Sequence, residues 1–415
     1  MTPGRLLLGI RDDRPLTYRE HVDVHGPSPR GGAALIDAVA AAGLRGRGGA
    51  SFPTAIKLRA VAGRRRPIVV VNAAEGEPLS AKDRTLIRLA PHLVLDGALA
   101  AAAAVGARHV VVAVRDDGSG AVEAARAAVA ERRGARDLVV AAVPATYLAG
   151  EETALIRHLG GGPLAPTVVP PRPAERGLRG RPTLVQNAET LAHVALIARH
   201  GARWYREAGT DADPGTTLVT VSGAVARPGV HEIALGERLD AVLARAGGPR
   251  DQLRAVLVGG YHGTFLTEEQ LTAATLDDGR LRAHGATLAA GVIVALGASA
   301  CPVTEAASVI GWLAAQSAGQ CGPCRNGLPA IADQLARVRA GRGDPDALPL
   351  LRRWARQLPG RGACRLPDGA VRFLDSVLRA FEPELADHER HGPCASCNRP
   401  GVIPVVPYAP RNVAA

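Results

Sequence analysis

The stretch Arg66-Pro-Ile-Val-Val-Val-Asn-Ala-Ala-Glu-Gly-Glu-Pro78 places a short apolar run directly before a polar loop that contains glycine. A short run rich in valine and isoleucine, bounded by turn residues, is typical of a buried strand. In a parallel sheet, ligands bind at the loops that follow the strands. The stretch therefore predicts a buried strand over residues 66–71 that leads into a ligand-binding loop.

Strands and helices alternate on both sides of this stretch, which predicts an α/β fold with a Rossmann-like parallel sheet. Aromatic residues make up only 3% of the 415-residue chain, so its cores must be built from small aliphatic side chains, as helix-on-sheet layers can be. We expect this domain to occupy residues 1–205. The elements predicted for it are helices over residues 34–42, 91–106 and 119–133 and strands over residues 109–114 and 138–143.

Two further folding units and a tail are predicted after residue 205. A strand-strand-helix-strand pattern that begins near residue 216 indicates a small β-grasp domain, expected over residues 206–303. From Glu305 the pattern is helical to about residue 382, which predicts a helical bundle over residues 304–385. Residues 386–415 are expected to form a cysteine-containing tail.

The net charge of +11 suits an anionic partner, which could be nucleic acid, an acidic protein or a phosphate-bearing cofactor. The arginines are scattered and no aromatic-interleaved basic motif is present, so nucleic-acid binding is not expected. The N-terminus lacks the apolar core of a secretion signal, and the longest uncharged run, residues 285–304, is interrupted by glycine and proline. We therefore predict a cytoplasmic protein without direct membrane insertion.

A glycine-rich loop precedes the first predicted strand, in Gly43-Leu-Arg-Gly-Arg-Gly-Gly-Ala-Ser-Phe-Pro-Thr54. Glycines allow several backbone N–H groups to point at one anion, and the helix expected after Pro53 adds a favourable dipole. The loop fits neither the G-x-x-x-x-G-K-[ST] motif nor G-x-G-x-x-G after a strand. It therefore predicts a phosphate cradle of another kind, and a tight structural turn is the alternative.

Only two of the chain's 50 cationic Lys and Arg residues are lysines, Lys57 and Lys82, and each follows a glycine-containing loop. A compact ammonium and a planar guanidinium fork recognise anions differently. The two positions indicate that lysine is needed there for a specific role. The alternative is that two lysines remain by chance in an arginine-rich composition.

Two loops place carboxylates at the carboxyl edge of the predicted sheet. The first carries Asn72, Glu75 and Glu77, whose oxygens can accept hydrogen bonds from ribityl or ribose hydroxyls and imide N–H groups. The second, Tyr147-Leu-Ala-Gly-Glu-Glu-Thr153, puts two adjacent carboxylates beside a glycine at a helix start. A solvated helix N-terminus is the alternative for this second pair.

The six cysteines form two C-x-x-C pairs and two single residues, namely Cys321 with Cys324, Cys394 with Cys397, Cys364 and Cys301. In a cytosolic chain, such pairs suggest metal or redox chemistry rather than structural disulfides. An iron–sulfur cluster bound by Cys321, Cys324, Cys364 and one further thiolate is the favoured prediction, and a zinc site or no metal is the alternative. Cys301 lies in an apolar stretch and is expected to be a core residue.

These loops, in this order, resemble the NADH-oxidising flavoprotein subunit of respiratory complex I and its relatives in bidirectional hydrogenases and formate dehydrogenases. The resemblance spans nearly the whole chain, and the β-grasp module is similar to the family's soluble-ligand-binding domain. Besides the three loops above, the residues that carry it are Lys82-Asp-Arg84, Gly180-Arg-Pro-Thr-Leu-Val-Gln-Asn-Ala-Glu-Thr-Leu191, Val221-Ser-Gly-Ala-Val-Ala-Arg-Pro-Gly-Val230 and Cys321-Gly-Pro-Cys-Arg-Asn-Gly327.

The resemblance implies an FMN cofactor, a [4Fe-4S] cluster and NAD(H) as substrate. It makes Glu77 the candidate catalytic residue and Phe52 a contact of the nicotinamide dinucleotide. The residues implied to hold the FMN phosphate are Lys57 and the loop residues Gly46, Arg47, Gly48 and Gly49. The residues implied to line the flavin are Asn72, Glu75, Tyr147, Gly150, Glu151, Glu152, Asn187 and Thr190.

Three departures from the family pattern affect the predicted substrate and cluster. Ala74 stands where the family has an aspartate, and Val169-Pro-Pro-Arg-Pro173 replaces a Lys-Pro-Pro-Phe-Pro segment near the nicotinamide dinucleotide. Loss of a cation and a stacking face is expected to weaken NADH binding by roughly a few kcal/mol. Ala318 replaces the first cluster cysteine, so Cys394 is predicted as the fourth ligand, with Cys397 or an external ligand as alternatives.

The sequence thus predicts an FMN-dependent oxidoreductase subunit that passes electrons from NADH through flavin and a [4Fe-4S] cluster to a protein acceptor. The chain carries no separate ferredoxin domain, so a ferredoxin-like subunit or another chain of a hetero-oligomer is expected to receive the electrons. Two alternatives stay open. One is an NADH-independent flavoprotein that exchanges electrons with ferredoxin, and the other is a non-catalytic assembly protein that binds zinc or a small ligand.

Overall fold

The computed structural model describes residues 4–11, 13–29, 31–132 and 137–403. Its first domain is built on a parallel sheet in the order β3-β2-β1-β4. The strands are β1 Ile68–Ala73, β2 His109–Asp116, β3 Leu138–Pro144 and β4 Thr183–Asn187. The helices are α1 Tyr18–His25, α2 Ala34–Ala42, α3 Thr54–Val61, α4 Lys82–Leu89, α5 Pro91–Val105, α6 Ala121–Ala130, α7 Glu152–Leu159 and α8 Ala188–Arg206.

The apolar run that opens the polar loop is a central strand of this sheet. Val70 of β1 pairs with Val111 of β2 on one side and with Val185 of β4 on the other, both in parallel. The strand begins at Ile68 rather than at Arg66, which adopts a left-handed backbone with φ 51°. The predicted alternation of strands and helices is confirmed, and the loop after β1 emerges at the carboxyl edge as expected.

The second domain contains a mixed five-stranded sheet in the order β6-β5-β9-β7-β8. Its first and last strands along the chain pair in parallel, with Thr220 opposite Val292, and its other pairs are antiparallel. This arrangement confirms the predicted β-grasp module and adds β8, which the sequence analysis missed. The elements are β5 Thr216–Gly223, β6 Gly229–Ala234, α9 Leu239–Arg245, β7 Leu253–Val258, β8 Thr264–Thr267, α10 Glu268–Leu271, α11 Asp278–Ala283 and β9 Val292–Gly297.

The third domain is the predicted helical bundle, and it packs on one face of the β-grasp sheet. Phe265 of β8 lies 5.7 Å from Phe373 and 5.0 Å from Phe381, measured between ring centroids. All three rings belong to one core that continues into the tail as far as Ile403. The helices are α12 Pro302–Ala315, α13 Leu328–Arg339, α14 Ala347–Gln357, α15 Leu366–Ala380 and α16 Glu382–His391.

Among the helices of the described ranges, none is long and apolar enough to cross a membrane by itself. Helices α4 and α5, which meet at a 97° bend, reach that length and hydropathy only as a pair, by length and composition alone.

Candidate functional site

A cavity of about 530 Å³ opens at the carboxyl end of the parallel sheet, within the range of roughly 300–1,000 Å³ that is typical of cofactor sites. The glycine-rich loop and the start of α8 contribute the predicted residues Arg47, Gly48, Gly49 and Asn187. The loops after β1 and β3 contribute Asn72, Glu75, Glu77, Tyr147, Gly150 and Glu151. The structure therefore brings together most of the predicted flavin-site residues around one cavity.

The glycine-rich loop presents closely packed backbone to this cavity. Gly49 adopts φ 102°, which residues with a side chain rarely do, and a Cβ on Gly48 would lie 3.2 Å from the Cβ of Asn187. The Arg47 guanidinium is committed to another contact, because its Nη2 donates to the carbonyl oxygen of Thr216 at 3.2 Å. The loop can thus offer N–H groups to an anion, while Arg47 ties the first domain to β5.

Lys82 also lines the cavity and is buried among charged groups. Its Nζ lies 2.7 Å from Asp83 Oδ1 and 3.1 Å from Glu189 Oε2, and Asn187 donates to Asp83 Oδ2 at 2.6 Å. Burial alone would lower the pKa of Lys82, but the two carboxylates raise it above its ordinary value. For the Glu189 carboxyl group, burial alone would raise the pKa. Lys82 and then His193 outweigh burial and lower the pKa of Glu189 to about 2. The ammonium is therefore charged and held on two sides.

Two buried carboxyl groups on the loop after β1 face the cavity. Glu75, with φ 36°, accepts hydrogen bonds from the Ser80 hydroxyl at 2.7 Å and the Asp83 N–H at 2.9 Å. Glu77 accepts one from the Tyr261 N–H at 3.0 Å. Burial is the largest cause that raises the pKa of each carboxyl group to about 7. Near neutral pH, each group can therefore hold or release a proton at the cavity wall.

The loop after β3 packs tightly against the loop after β1. Asn72 Nδ2 donates to the carbonyl oxygen of Gly150 at 2.9 Å. A Cβ on Gly76 would overlap the carbonyl oxygen of Tyr147, so glycine is required for this approach. The Glu151 carboxylate accepts a backbone N–H in the first turn of α7 at 2.7 Å, as an N-cap does. These contacts fix both predicted loops as one wall.

Five of the residues predicted to contact FMN or NADH do not line this cavity. Phe52 is 44% exposed, and Lys57 Nζ pairs with Glu152 Oε2 at 2.9 Å in a partly exposed pair. Thr190 is buried, and its hydroxyl accepts a backbone N–H of the glycine-rich loop at 2.9 Å. Gly46 lines a smaller neighbouring cavity. Thr190 therefore supports the loop, and a direct role for the five residues in cofactor binding stays a prediction.

The sequence analysis missed the wall that comes from the other two domains. His262, from a turn after β7, and Arg372, from α15, both line the cavity. Burial and then Arg372 lower the pKa of His262 to about 3, so its imidazole is neutral near pH 7. Within the described chain, its buried Nε2 has no hydrogen-bond partner. That nitrogen is available to a ligand, and no local motif marks it.

Three of the predicted cluster cysteines lie together beside the cavity. Cys324 is buried in the π-helical turn Pro323–Gly327, and burial followed by the neighbouring Cys321 raises the pKa of its thiol to about 12. Burial also raises the pKa of Cys364, which lines the cavity itself. Soft thiols in apolar surroundings suit an iron–sulfur cluster. The cysteine site and the cavity are therefore direct neighbours.

Cys394 is grouped with different side chains, and its role as the fourth cluster ligand stays a prediction. Its Sγ lies in a set with Cys301, Cys397 and His388, whose donor atoms are all within 4.8 Å of one another. The tail brings Cys394 to Cys301 at the start of α12. Cys301 is a buried core residue, as expected, and its Sγ also belongs to this set.

Three family models match the chain. They are the Nuo51 FMN-binding domain over residues 39–196, the SLBB domain over residues 218–260, and the NADH-ubiquinone oxidoreductase-F iron-sulfur binding region over residues 304–388. The first match contains the glycine-rich loop and the loops after β1 and β3, and the last contains the three neighbouring cysteines. Fold and site together define an oxidoreductase subunit with an FMN-binding domain and an iron–sulfur region.

Curated relatives match over most of their length. The chain is 33% identical over 378 residues to the second F subunit of NADH-quinone oxidoreductase in Rhizobium meliloti, which covers 87% of this chain and 90% of that protein. It is 34% identical over 381 residues to the corresponding F subunit of Mycobacterium tuberculosis, with 87% and 85% covered. The chain therefore belongs to the family of NADH-quinone oxidoreductase F subunits.

Solved structures of an NAD⁺-reducing [NiFe]-hydrogenase are also similar. In the H₂-reduced state the TM-score is 0.78 at 34% identity, with 85% of this chain and 62% of that chain covered. In the air-oxidised state the TM-score is 0.81 at 32% identity, with 92% of this chain and 66% of that chain covered. The chain thus spans slightly less than two thirds of the hydrogenase chain.

The comparisons confirm the predicted family, fold class and oxidoreductase activity, together with FMN, [4Fe-4S] and NAD(H) chemistry. The relatives of the chain are named as subunits of larger enzymes, which agrees with the predicted hetero-oligomer. The individual site residues and the domain limits at residues 205, 303 and 385 stay predictions.

Gly76→Ala is expected to weaken FMN binding, because the new Cβ overlaps the Tyr147 carbonyl oxygen and separates the two loops. Overpacking of about 1–3 kcal/mol corresponds to a dissociation constant about 5- to 150-fold higher. The measurement is fluorescence titration of the apoprotein with FMN. Gly32→Ala is the control, since its Cβ would meet nothing within 4 Å. Equal FMN affinity in both variants would contradict the loop contact.

Lys82→Met is expected to lower the free energy of unfolding by about 3–5 kcal/mol, because it leaves Asp83 and Glu189 buried without their cation. Lys57→Met removes the other lysine from a partly exposed pair that water can still reach, and should cost about 1 kcal/mol. Urea unfolding of both apoproteins measures the difference. If both variants lost a similar free energy of unfolding, burial of the Lys82 network would not contribute to stability.

Proposed function

We propose that the chain takes reducing equivalents from NADH at an FMN in the cavity and delivers single electrons to a partner chain through a cluster on Cys321, Cys324 and Cys364. FMN supplies the conversion between two-electron and one-electron chemistry. The observation that carries the proposal is that Cys364 lines the same cavity as Glu77. A cluster on that thiol would adjoin the flavin with no domain between them.

The groups around the cavity fit an FMN. The backbone of Gly48 and Gly49 offers an anion nest for the phosphate. Asn72 and Glu75 offer polar atoms to the ribityl hydroxyls and the ring edge. His262 Nε2, which has no hydrogen-bond partner among the described residues, supplies a further polar contact at the cavity wall. This mixture of an anion nest and polar contacts supports FMN more than a simple anion.

The proposed NADH side contains Phe52 and Glu77. Phe52 is 44% exposed and offers a ring face for stacking, and Glu77 is fixed by the Tyr261 N–H at the cavity wall. An ionised Glu77 carboxylate can accept a hydrogen bond from a carboxamide N–H and position it. We therefore assign Glu77 to substrate positioning, with direct contact to the dinucleotide.

One segment favours a second candidate function, exchange of electrons with ferredoxin instead of NADH. In Val169-Pro-Pro-Arg-Pro173, valine and arginine stand where the resemblance to the family implies lysine and phenylalanine, so the segment lacks the aromatic ring and carries its positive charge at Arg172 instead. It presents apolar side chains beside a charge, since Val168 just before it is 74% exposed, Val169 is 39% exposed and Arg172 is also exposed. A surface of this kind suits a protein contact as well as a dinucleotide.

The proposed electron exit lies at the π-helical turn. Cys321 is partly exposed, and Arg325 and Asn326 near it are exposed. The net charge of +11 favours an acidic acceptor, because complementary charge speeds association. We infer a separate iron–sulfur protein with an acidic surface as the partner.

Cys364→Ser is expected to retain FMN and lose most of its iron, because one of three thiolates is removed. Ala318→Cys restores a cysteine at the position where the family has its first ligand, so its iron and sulfide contents should rise toward those of a [4Fe-4S] cluster. The wild-type protein and the two variants are purified anaerobically. Their iron and sulfide contents are then measured, and their visible spectra are recorded with NADH. NADH should bleach the flavin in all three proteins.

Two results would count against this function. A flavin that reduced ferredoxin bleaches and NADH does not would favour the second candidate. Unchanged iron in Cys364→Ser would remove this thiol from the cluster and with it the proposed electron path.

A further inference from the structure

Four metal-binding side chains meet where the tail returns to the helical bundle. Cys301 precedes α12, His388 lies in the last turns of α16, and Cys394 and Cys397 belong to the short turn after it. Their Sγ and imidazole nitrogen atoms are all within 4.8 Å of one another. We propose that these four residues bind one structural Zn²⁺ ion, apart from the flavin cavity and the three-cysteine cluster.

The donor separations are those that a single tetrahedral ion requires. Cys397 Sγ lies 3.5 Å from Cys301 Sγ and 3.6 Å from Cys394 Sγ. His388 Nε2 lies 3.0 Å from Cys397 Sγ and 3.5 Å from Cys301 Sγ. With Zn–S bonds of about 2.3 Å, the edge of a sulfur tetrahedron is about 3.8 Å. Small adjustments would therefore place all four donors around one ion.

The hydrogen bonds around the set prepare two of the ligands. His388 Nδ1 lies 2.7 Å from the carbonyl oxygen of Glu384, so Nδ1 carries the proton. The lone pair of Nε2 receives only a long contact of 3.5 Å from the Cys394 N–H, which a metal ion can replace. The N–H of Thr304 donates to Cys301 Sγ at 3.4 Å, at the N-terminus of α12. This contact helps to hold Cys301 Sγ at the start of α12, 3.5 Å from Cys397 Sγ.

The ligand set favours zinc over an iron–sulfur cluster. Three cysteines and one histidine form a closed tetrahedral set of the structural zinc type, and the two-residue spacing between Cys394 and Cys397 is usual for it. The thiolates of a cubane bind different iron atoms and must stand further apart. Cys301 and Cys397 are buried, whereas Cys394 is exposed and offers an entry path for the ion.

The site would lock the tail onto the bundle. The N–H groups of Val402 and Ile403 donate to the Glu305 carboxylate at 2.6 and 2.9 Å, so the tail already lies against α12. Cys301, Cys394 and Cys397 lie outside residues 304–388, which the iron–sulfur family model matches. The proposed ion therefore adds a link between the end of the β-grasp domain, α16 and the tail.

The test is metal analysis of the anaerobically purified wild-type protein, with X-ray absorption at the zinc edge. We expect about one zinc per chain, with three sulfur ligands at about 2.3 Å and one nitrogen at about 2.0–2.1 Å. Cys394→Ser changes the exposed ligand and should lower the zinc content at least tenfold with iron and FMN retained. Cys321→Ser is the matched control and should lose iron and keep zinc.

The two metal sites can fail separately in this experiment. Loss of iron in Cys394→Ser would place Cys394 on the cluster and overturn the zinc site. Absence of zinc from the wild-type protein, or a Cys394–Cys397 disulfide found by mass spectrometry, would overturn it too. The X-ray absorption spectrum of the wild-type protein at the zinc edge identifies the ligand set even if a variant folds poorly.

Discussion

The buried ammonium of Lys82 is the interaction on which the cavity depends. Asp83 and Glu189 neutralise it, and Glu189 also accepts hydrogen bonds from the Thr217 hydroxyl at 2.8 Å and the Leu218 N–H at 3.0 Å. A buried charge without partners is costly, so all these groups must stay in place together. Lys82 therefore couples the loop after β1, the start of α8 and strand β5. That coupling sets the position of the first two domains at the cavity.

The third domain adds the redox function to this frame. Its α15 begins at the cavity, and the residue pair Cys364 and Arg372 forms part of the wall. Since the bundle packs on the β-grasp sheet through Phe265, the position of Cys364 is fixed by that sheet as well. A cofactor bound in the cavity would thus contact three domains, and electrons would leave it through the domain that holds the cysteines.

The sequence predicted local features well and long-range ones poorly. Asn72, Glu75 and Gly150 could be placed because loops after parallel strands meet at one sheet edge. His262 could not, because its position depends on how two domains pack, and no nearby motif records this. Lys57 and Lys82 looked equivalent as rare lysines, yet only Lys82 is buried, which depends on Glu189 more than a hundred residues later. The grouping of Cys394 with Cys301 likewise follows from the path of the tail.

Electron paramagnetic resonance of the anaerobic wild-type protein, reduced with a limiting amount of NADH, tests most directly whether cavity and cysteines form one electron path. A flavin radical close to a paramagnetic cluster relaxes faster than an isolated radical. We expect a cluster signal and a flavin radical that saturates only at high microwave power. A slowly relaxing flavin radical with no cluster signal would contradict the path through Cys364.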